Sequence, residues 1–279
     1  MENTFLNHIL SKSSNNINKL NSITKYPSIL TYHNLGPKGS LVNTLVEDKS
    51  FGDNDVYITE KIDGTNSRAV IFTDNNGSVE DYLIGSREDF IFAMGDRIIN
   101  PALGIIDNLK PIVDTIALLG EKKLQPNSMY CLYGETYGGK INNAKQYSTK
   151  GNYGLRIFDL FILSKNEVEE LLDMIIDHIA TWRENGGQPF VSVDVLKEFC
   201  EQYCLNIVPY ITIANGTEIP LTLQEVWNWL QQYENSNATI DDTGNGKSEG
   251  VVVRFADRSF IRKIRFEDYN RTKKIGLIK

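Results

Sequence analysis

Val56-Tyr57-Ile58-Thr59-Glu60-Lys61-Ile62-Asp63-Gly64-Thr65-Asn66-Ser67-Arg68-Ala69-Val70-Ile71-Phe72 reads as two β-rich runs around a Lys-Ile-Asp-Gly turn. β-Branched and aromatic residues fill 56–60 and 67–72, and Asp-Gly has turn chemistry. Asp74-Asn75-Asn76-Gly77 makes a hairpin turn, and residues 81–86 form the next strand. Farther on, 93–120 and 165–185 are predicted helical. In the latter, Val168, Leu171, Leu172, Ile175, Ile176 and Ile179 recur at helical spacing. Helices are also expected at 194–203 and 223–233, a polar loop at 236–247, and strands at 249–255 and 259–265. Upstream, residues 1–50 read as a short helix, turns and an edge strand, too short for a separate barrel. Strands separated by helices of mixed placement predict an α+β fold with mainly antiparallel sheet rather than a doubly wound one.

The chain has 279 residues, enough for a core that needs neither disulfide nor structural metal. Its three cysteines agree: Cys131 stands alone, and Cys200 and Cys204 lie one helical turn apart with no histidine nearby, unlike a zinc site. No apolar run has the length of a signal peptide or a bilayer span, so a cytoplasmic protein without membrane association is expected. The net charge of −7 argues against generic coating of nucleic acid by charge. It leaves room for an enzyme that grips a few phosphates at one basic site.

Five segments carry chemistry. In Glu60-Lys61-Ile62-Asp63-Gly64-Thr65-Asn66, a lysine at a strand end is a candidate nucleophile once deprotonated. Alone, it could equally be a surface lysine beside a turn. In Tyr133-Gly134-Glu135-Thr136-Tyr137-Gly138-Gly139, a carboxylate between glycines can reach a ribose hydroxyl or a hydrated metal, or simply be solvated. Phe158, in Arg156-Ile157-Phe158-Asp159-Leu160, can stack on a purine or belong to the core. Ser248-Glu249-Gly250-Val251-Val252-Val253-Arg254 repeats the carboxylate–glycine pattern at the start of a strand. In Ile261-Arg262-Lys263-Ile264-Arg265, alternation puts Lys263 and Arg265 on one face. Two adjacent cations suggest an anion between them, and a phosphate is the obvious candidate; a solvated strand edge is the plain alternative.

In this order the segments resemble motifs I, III, IIIa, IV and V of the covalent lysyl-nucleotidyltransferases, the superfamily of RNA and DNA ligases and mRNA capping enzymes. The text Glu-Lys-Ile-Asp-Gly-Thr-Asn, with Glu-Gly-Val-Val-Val-Arg downstream, is most similar to the ATP-dependent RNA ligases. Gly85-Ser86-Arg87 falls where that branch has its motif Ia arginine. The resemblance covers about residues 56–270. It implies two antiparallel-rich sheets of an adenylation core with peripheral helices, 1–50 forming an extension packed on a 51–279 catalytic domain. Only fourteen residues follow Arg265, so no C-terminal OB or helical domain is expected.

The resemblance further implies that Lys61 attacks the α-phosphate of ATP, with Lys263 and Arg265 neutralising that phosphate. Glu249 would bind a hydrated Mg²⁺ or Mn²⁺, with Glu135 on the ribose or the metal's water shell. Phe158 would stack on adenine beside Glu60, while Arg87 and Asn66 would contact the nucleotide or the 5′-phosphate end. AMP would pass to a 5′-phosphate RNA end, which a 3′-hydroxyl then attacks, as in RNA repair. A groove of Lys61, Arg68, Arg87, Lys140, Lys145, Lys263 and Arg265 would hold the strand, and a protein partner could supply end recognition. Many relatives have Lys-x-Lys where this chain has Lys263-Ile264-Arg265. A GTP-using capping enzyme, a DNA-joining ligase, a protein-modifying AMP transferase and a catalytically silent nucleic-acid-end or nucleotide binder remain alternatives.

Overall fold

The computed structural model describes residues 4–93, 104–119 and 124–279. They form two units, and the chain passes between them repeatedly. One comprises residues 1–27, 65–139 and 153–207; the other comprises 28–64, 140–152 and 208–279.

The first unit is built on a five-stranded sheet of β4 (Thr65–Thr73), β5 (Val79–Ser86), β6 (Phe90–Ala93), β7 (Ser128–Gly138) and β8 (Tyr153–Ser164), ordered β6-β5-β4-β7-β8. Because strand side chains alternate, each face has its own core. Val70, Phe72, Met129, Cys131 and Tyr133 pack beneath α1 (Phe5–Lys12), α2 (Asn16–Thr24), α4 (Lys165–Asp173) and α5 (Ile176–Glu184). Ala69, Ile71, Tyr130 and Leu132 pack on the other face beneath α3 (Ile105–Leu118) and α6 (Val193–Gln202). The β4–β5 turn forms at Asp74 as expected, and its side chain accepts bonds from the Asn76 and Ser78 backbones, each at 2.8 Å.

The helical stretch expected over 165–185 is two helices. Ser164 begins α4 with a capping box, and extended backbone at Met174 and Ile175 ends it. Ile175 and Ile176 are therefore exposed rather than on the buried stripe. In the stretch 93–120, α3 occupies 105–118; 94–103 and 120 lie outside the described residues. The first 27 residues carry two helices where one was expected, and their Phe5, Leu6, Ile9, Leu20 and Ile23 are core residues of the first unit.

The second unit contains the hairpin β1 (His33–Leu35) and β2 (Leu41–Leu45) and a four-stranded sheet. That sheet joins β3 (Asp55–Lys61), β9 (Tyr210–Asn215), β10 (Gly250–Arg254) and β11 (Ile261–Arg265) in the order β11-β10-β3-β9. One face (Val56, Ile58, Val251, Val253 and Ile264) packs on α7 (Leu223–Leu230), α8 (Phe266–Lys274) and the hairpin. Trp227 and Trp229 pack, partly buried, against that core. The edge strand β9 was not anticipated from the sequence, and none of its residues is fully buried. All ladders between these strands run antiparallel, the α+β architecture anticipated. Among the described residues, no helix is long and apolar enough to cross a membrane.

Candidate active site

In the second unit, register gathers the cations. Gly250 pairs with Lys61 on one side and Arg265 on the other, and Val252 pairs with Thr59 and Lys263. Directly opposed residues share a face, and so do residues two apart. Lys61, Lys263 and Arg265 therefore emerge from one face, opposite the apolar core. The central position of that row must be glycine. A Cβ on Gly250, at φ +146°, would lie 2.1 Å from the Ile264 carbonyl oxygen.

Glu249 precedes that glycine, and its backbone N–H donates to the Lys61 carbonyl at 3.1 Å. Its carboxylate accepts from Lys61 Nζ at 2.5 Å and from Arg265 Nη1 at 3.4 Å. Lys61 and Glu249 are mostly buried, with side chains 24% and 15% exposed, which strengthens the pairing. Burial holds Lys263 below the ordinary lysine range, and the neighbouring Arg265 and Lys61 charges lower it further. A cation so placed gains from an arriving anion.

The turn after Lys61 is held from the 140–152 segment. Tyr147, fully buried, accepts from the Asp63 N–H at 2.7 Å, and Asn143 donates to the Asp63 carboxylate. Burial raises the Asp63 carboxyl, against the opposing effect of that Asn143 bond. Glu60 lies on the face opposite Lys61, as strand alternation requires. It is buried, accepts from the Asn237 N–H at 2.7 Å and also bonds Ser236, anchoring the loop that leads to Glu249.

Asn66, Arg68, Arg87, Glu135 and Phe158, also singled out from the sequence, lie in the first unit. Asn66 and Glu135 are direct cross-strand partners, so they share a face of that sheet. The β7–β8 register shifts where Tyr133 pairs with Asp159 and Gly134 with Ile157, leaving Phe158 at a bulge. Its ring meets Tyr26 edge-on at 5.0 Å and lies nearly parallel to Tyr133 at 6.4 Å. Phe158 is only partly buried, intermediate between the core and stacking readings. Arg87 is exposed and 3.7 Å from Glu88. Arg68 corrects an expectation: it is fully buried, not groove-lining, and donates to the Arg87 carbonyl at 3.2 Å and to Asn21. Gly85 opposite leaves room for it, since a Cβ there would come within 2.8 Å of Arg68 Nε.

Among the described residues, no three histidine, cysteine, aspartate or glutamate side chains cluster as a metal cage. Glu249, the carboxylate set between Lys61 and Arg265, is the residue that could hold a hydrated divalent ion. Sequence reading missed Asn143, Tyr147 and Ser236, and also Asp268, which accepts from Arg265 Nε at 2.8 Å; all four support the motifs from outside them. Tyr147, a lone aromatic in a polar stretch, was their only signal.

A family model described as RNA ligase matches residues 54–275. The chain belongs to the RNA ligase family. Solved structures similar to this family member include a Naegleria gruberi RNA ligase variant without ligand, at 14% identity and TM-score 0.52, covering 90% of this chain and 57% of that one. A variant of the same ligase with ATP and Mn is 13% identical at TM-score 0.52, with coverages of 90% and 59%. Another, with AMP and Mn, is 14% identical at TM-score 0.50, with coverages of 89% and 64%. At these identities the likeness is one of fold, and this family member spans less than two thirds of each solved ligase. Among curated proteins no sequence matches.

Proposed function

We propose that this protein is an ATP-dependent RNA ligase that forms a covalent lysyl-AMP at Lys61, transfers the AMP to a 5′-phosphate RNA end and seals it to a 3′-hydroxyl. The observation that supports this most directly is the contact of Lys61 Nζ with Glu249 at 2.5 Å, on the face that also carries Lys263 and Arg265. Lys61 must be neutral to attack, and it would release its proton to solvent once Glu249 holds a cation in place of the ammonium. A bond then forms between Nζ and the α-phosphorus of ATP. The bond from that phosphorus to the bridging oxygen breaks, and pyrophosphate leaves with the electron pair. Lys263 and Arg265 stabilise the charge that builds on the α-phosphate oxygens.

Glu249 would hold the Mg²⁺ or Mn²⁺, which when bound withdraws charge from the phosphate. Solved relatives carrying ATP or AMP with Mn support that choice. For the first unit, the reading assigns adenine stacking to Phe158 and the ribose or the metal's water shell to Glu135. Arg87 and Asn66 are assigned to the nucleotide or the RNA end. Glu60 would reach a base only by exchanging its Ser236 and Asn237 partners.

The test is incubation with ATP or GTP radiolabelled at the α-phosphate, with Mg²⁺ or Mn²⁺, on wild type and Lys61→Ala. Label from ATP alone, lost in the variant, is expected. Label that persists in Lys61→Ala would place the nucleophile elsewhere, and label from GTP would favour capping chemistry. No label, from protein whose intact mass shows no AMP already attached, would favour the silent binder. Competition between RNA and DNA ends then separates the two ligase readings.

A further inference from the structure

Arg265 is both the last residue of β11 and the N-cap of α8, so Asp268 stands in the first turn of that helix, facing back toward it. Its carboxylate accepts from Arg265 Nε at 2.8 Å and from Nη2 at 2.9 Å, a two-point clamp on one edge of the guanidinium. Arg271, one turn farther along α8, donates to the same carboxylate at 2.7 Å and pairs with Glu267 at 3.0 Å. The Asp268 side chain is only 2% exposed. A carboxylate so buried must be compensated, and two arginines compensate it. Because Nε and Nη2 are taken, Nη1 is the end of the fork left toward Glu249, at 3.4 Å, with the more exposed Glu267 carboxylate farther off at 3.9 Å, and Glu249 in turn holds Lys61.

Taking Lys61 as the nucleophile, as proposed above, we infer that Asp268, backed by Arg271, is a positioning residue that acts through Arg265, aiming Nη1 at the reacting phosphate. This gives a physical reason for arginine where many relatives have lysine. A lysine ammonium carries three donors on one flexible point, and it cannot grip Asp268 at two points while presenting a separate donor in a fixed direction. Asp268 makes no hydrogen bond to Lys61 or Glu249; it grips the Arg265 guanidinium directly, and its charge also favours the protonated form of Lys263.

The experiment measures single-turnover labelling of Lys61 across ATP concentrations for wild type, Asp268→Asn, Arg265→Lys and the double variant, with melting temperatures in parallel. Asp268→Asn is expected to lower the maximal rate about tenfold or more while half-saturating ATP moves less than about threefold, because the aim of Nη1 matters most in the transition state. Arg265→Lys should be comparably slow despite its retained charge. Adding Asp268→Asn to Arg265→Lys should cost less than about twofold more, since the clamp then has nothing to hold. Additive losses, or losses that follow melting temperature alone, would reduce Asp268 to a stabilising residue and overturn the inference. If Asp268→Asn fails to fold, Arg265→Lys labelling at the wild-type rate overturns it just as directly. Absence of label in wild type removes the lysyl-AMP reading, and the inference falls with it.

Discussion

At the residue scale, the site is a set of charges held close by partial burial. Lys61 and Arg265 each have a carboxylate within hydrogen-bonding distance, whereas Lys263 is dominated by burial and by its two cationic neighbours. Its folded pKa lies below the ordinary value of 10.5. Below the folded pKa both folded and unfolded chains carry the charge, and the cost of burying it is fully present. As pH rises through the folded pKa toward 10.5, the folded chain sheds the proton first, the unfolded chain holds more protons, and stability rises. Lys263→Met should therefore melt about 1–3 °C higher than wild type near neutral pH, with the gap narrowing toward pH 10. An equal or lower melting temperature at neutral pH, or a gap independent of pH, would show that Lys263 carries no such cost. On the proposed chemistry the same variant loses activity, because the charge that costs stability is the one that neutralises the α-phosphate.

At the element scale, β10 acts as the spine of the second sheet, with β3 and β11 on either side. The close passage of β11 over Gly250 sets the row in which Lys61 and Arg265 stand level. Gly250→Ala should cost about 3 kcal/mol or more, since its Cβ would meet backbone that cannot move without breaking the ladder. Gly246→Ala is the matched control: its φ of +68° is also unfavourable, but no atom lies within 4 Å of the added methyl group. That change should cost only about 1 kcal/mol. Urea midpoints for the two variants compare them, and equal costs would mean the strand crossing at Gly250 is looser than its geometry. The second sheet thus sacrifices tolerance at one position to hold its cations in register.

At the scale of the whole molecule, a net charge of −7 coexists with one locally cationic face. Few phosphates can be neutralised there, and Lys61, Lys263 and Arg265 set the number. If the protein binds 5′-phosphorylated single-stranded RNA through them, log Kobs against log salt should fall with a slope of about −2. A slope steeper than about −5 would require a cationic surface well beyond this site. Each of the two units is assembled from three separate stretches of chain.

Local chemistry was legible in the sequence because it depends on neighbours along the chain. Period-two alternation put Lys263 and Arg265 on one face, and Asp-Asn-Asn-Gly made the turn between β4 and β5. The order of the motifs marked the family and singled out Lys61. Alternation, applied to β3, would also have set Glu60 opposite Lys61. What tertiary structure alone decided was partnership and burial. Lys61 meets Glu249 across 188 positions of chain, Arg68 is enclosed by Asn21 and Phe90, and Tyr147 reaches the Asp63 turn from a polar segment with no motif. Asp268 lies only three residues from Arg265, yet its role depends on burial and on the spare end of the guanidinium pointing at Glu249. Periodicity is written in adjacent residues, but a side chain's partner and its distance from water depend on which strands and helices come together.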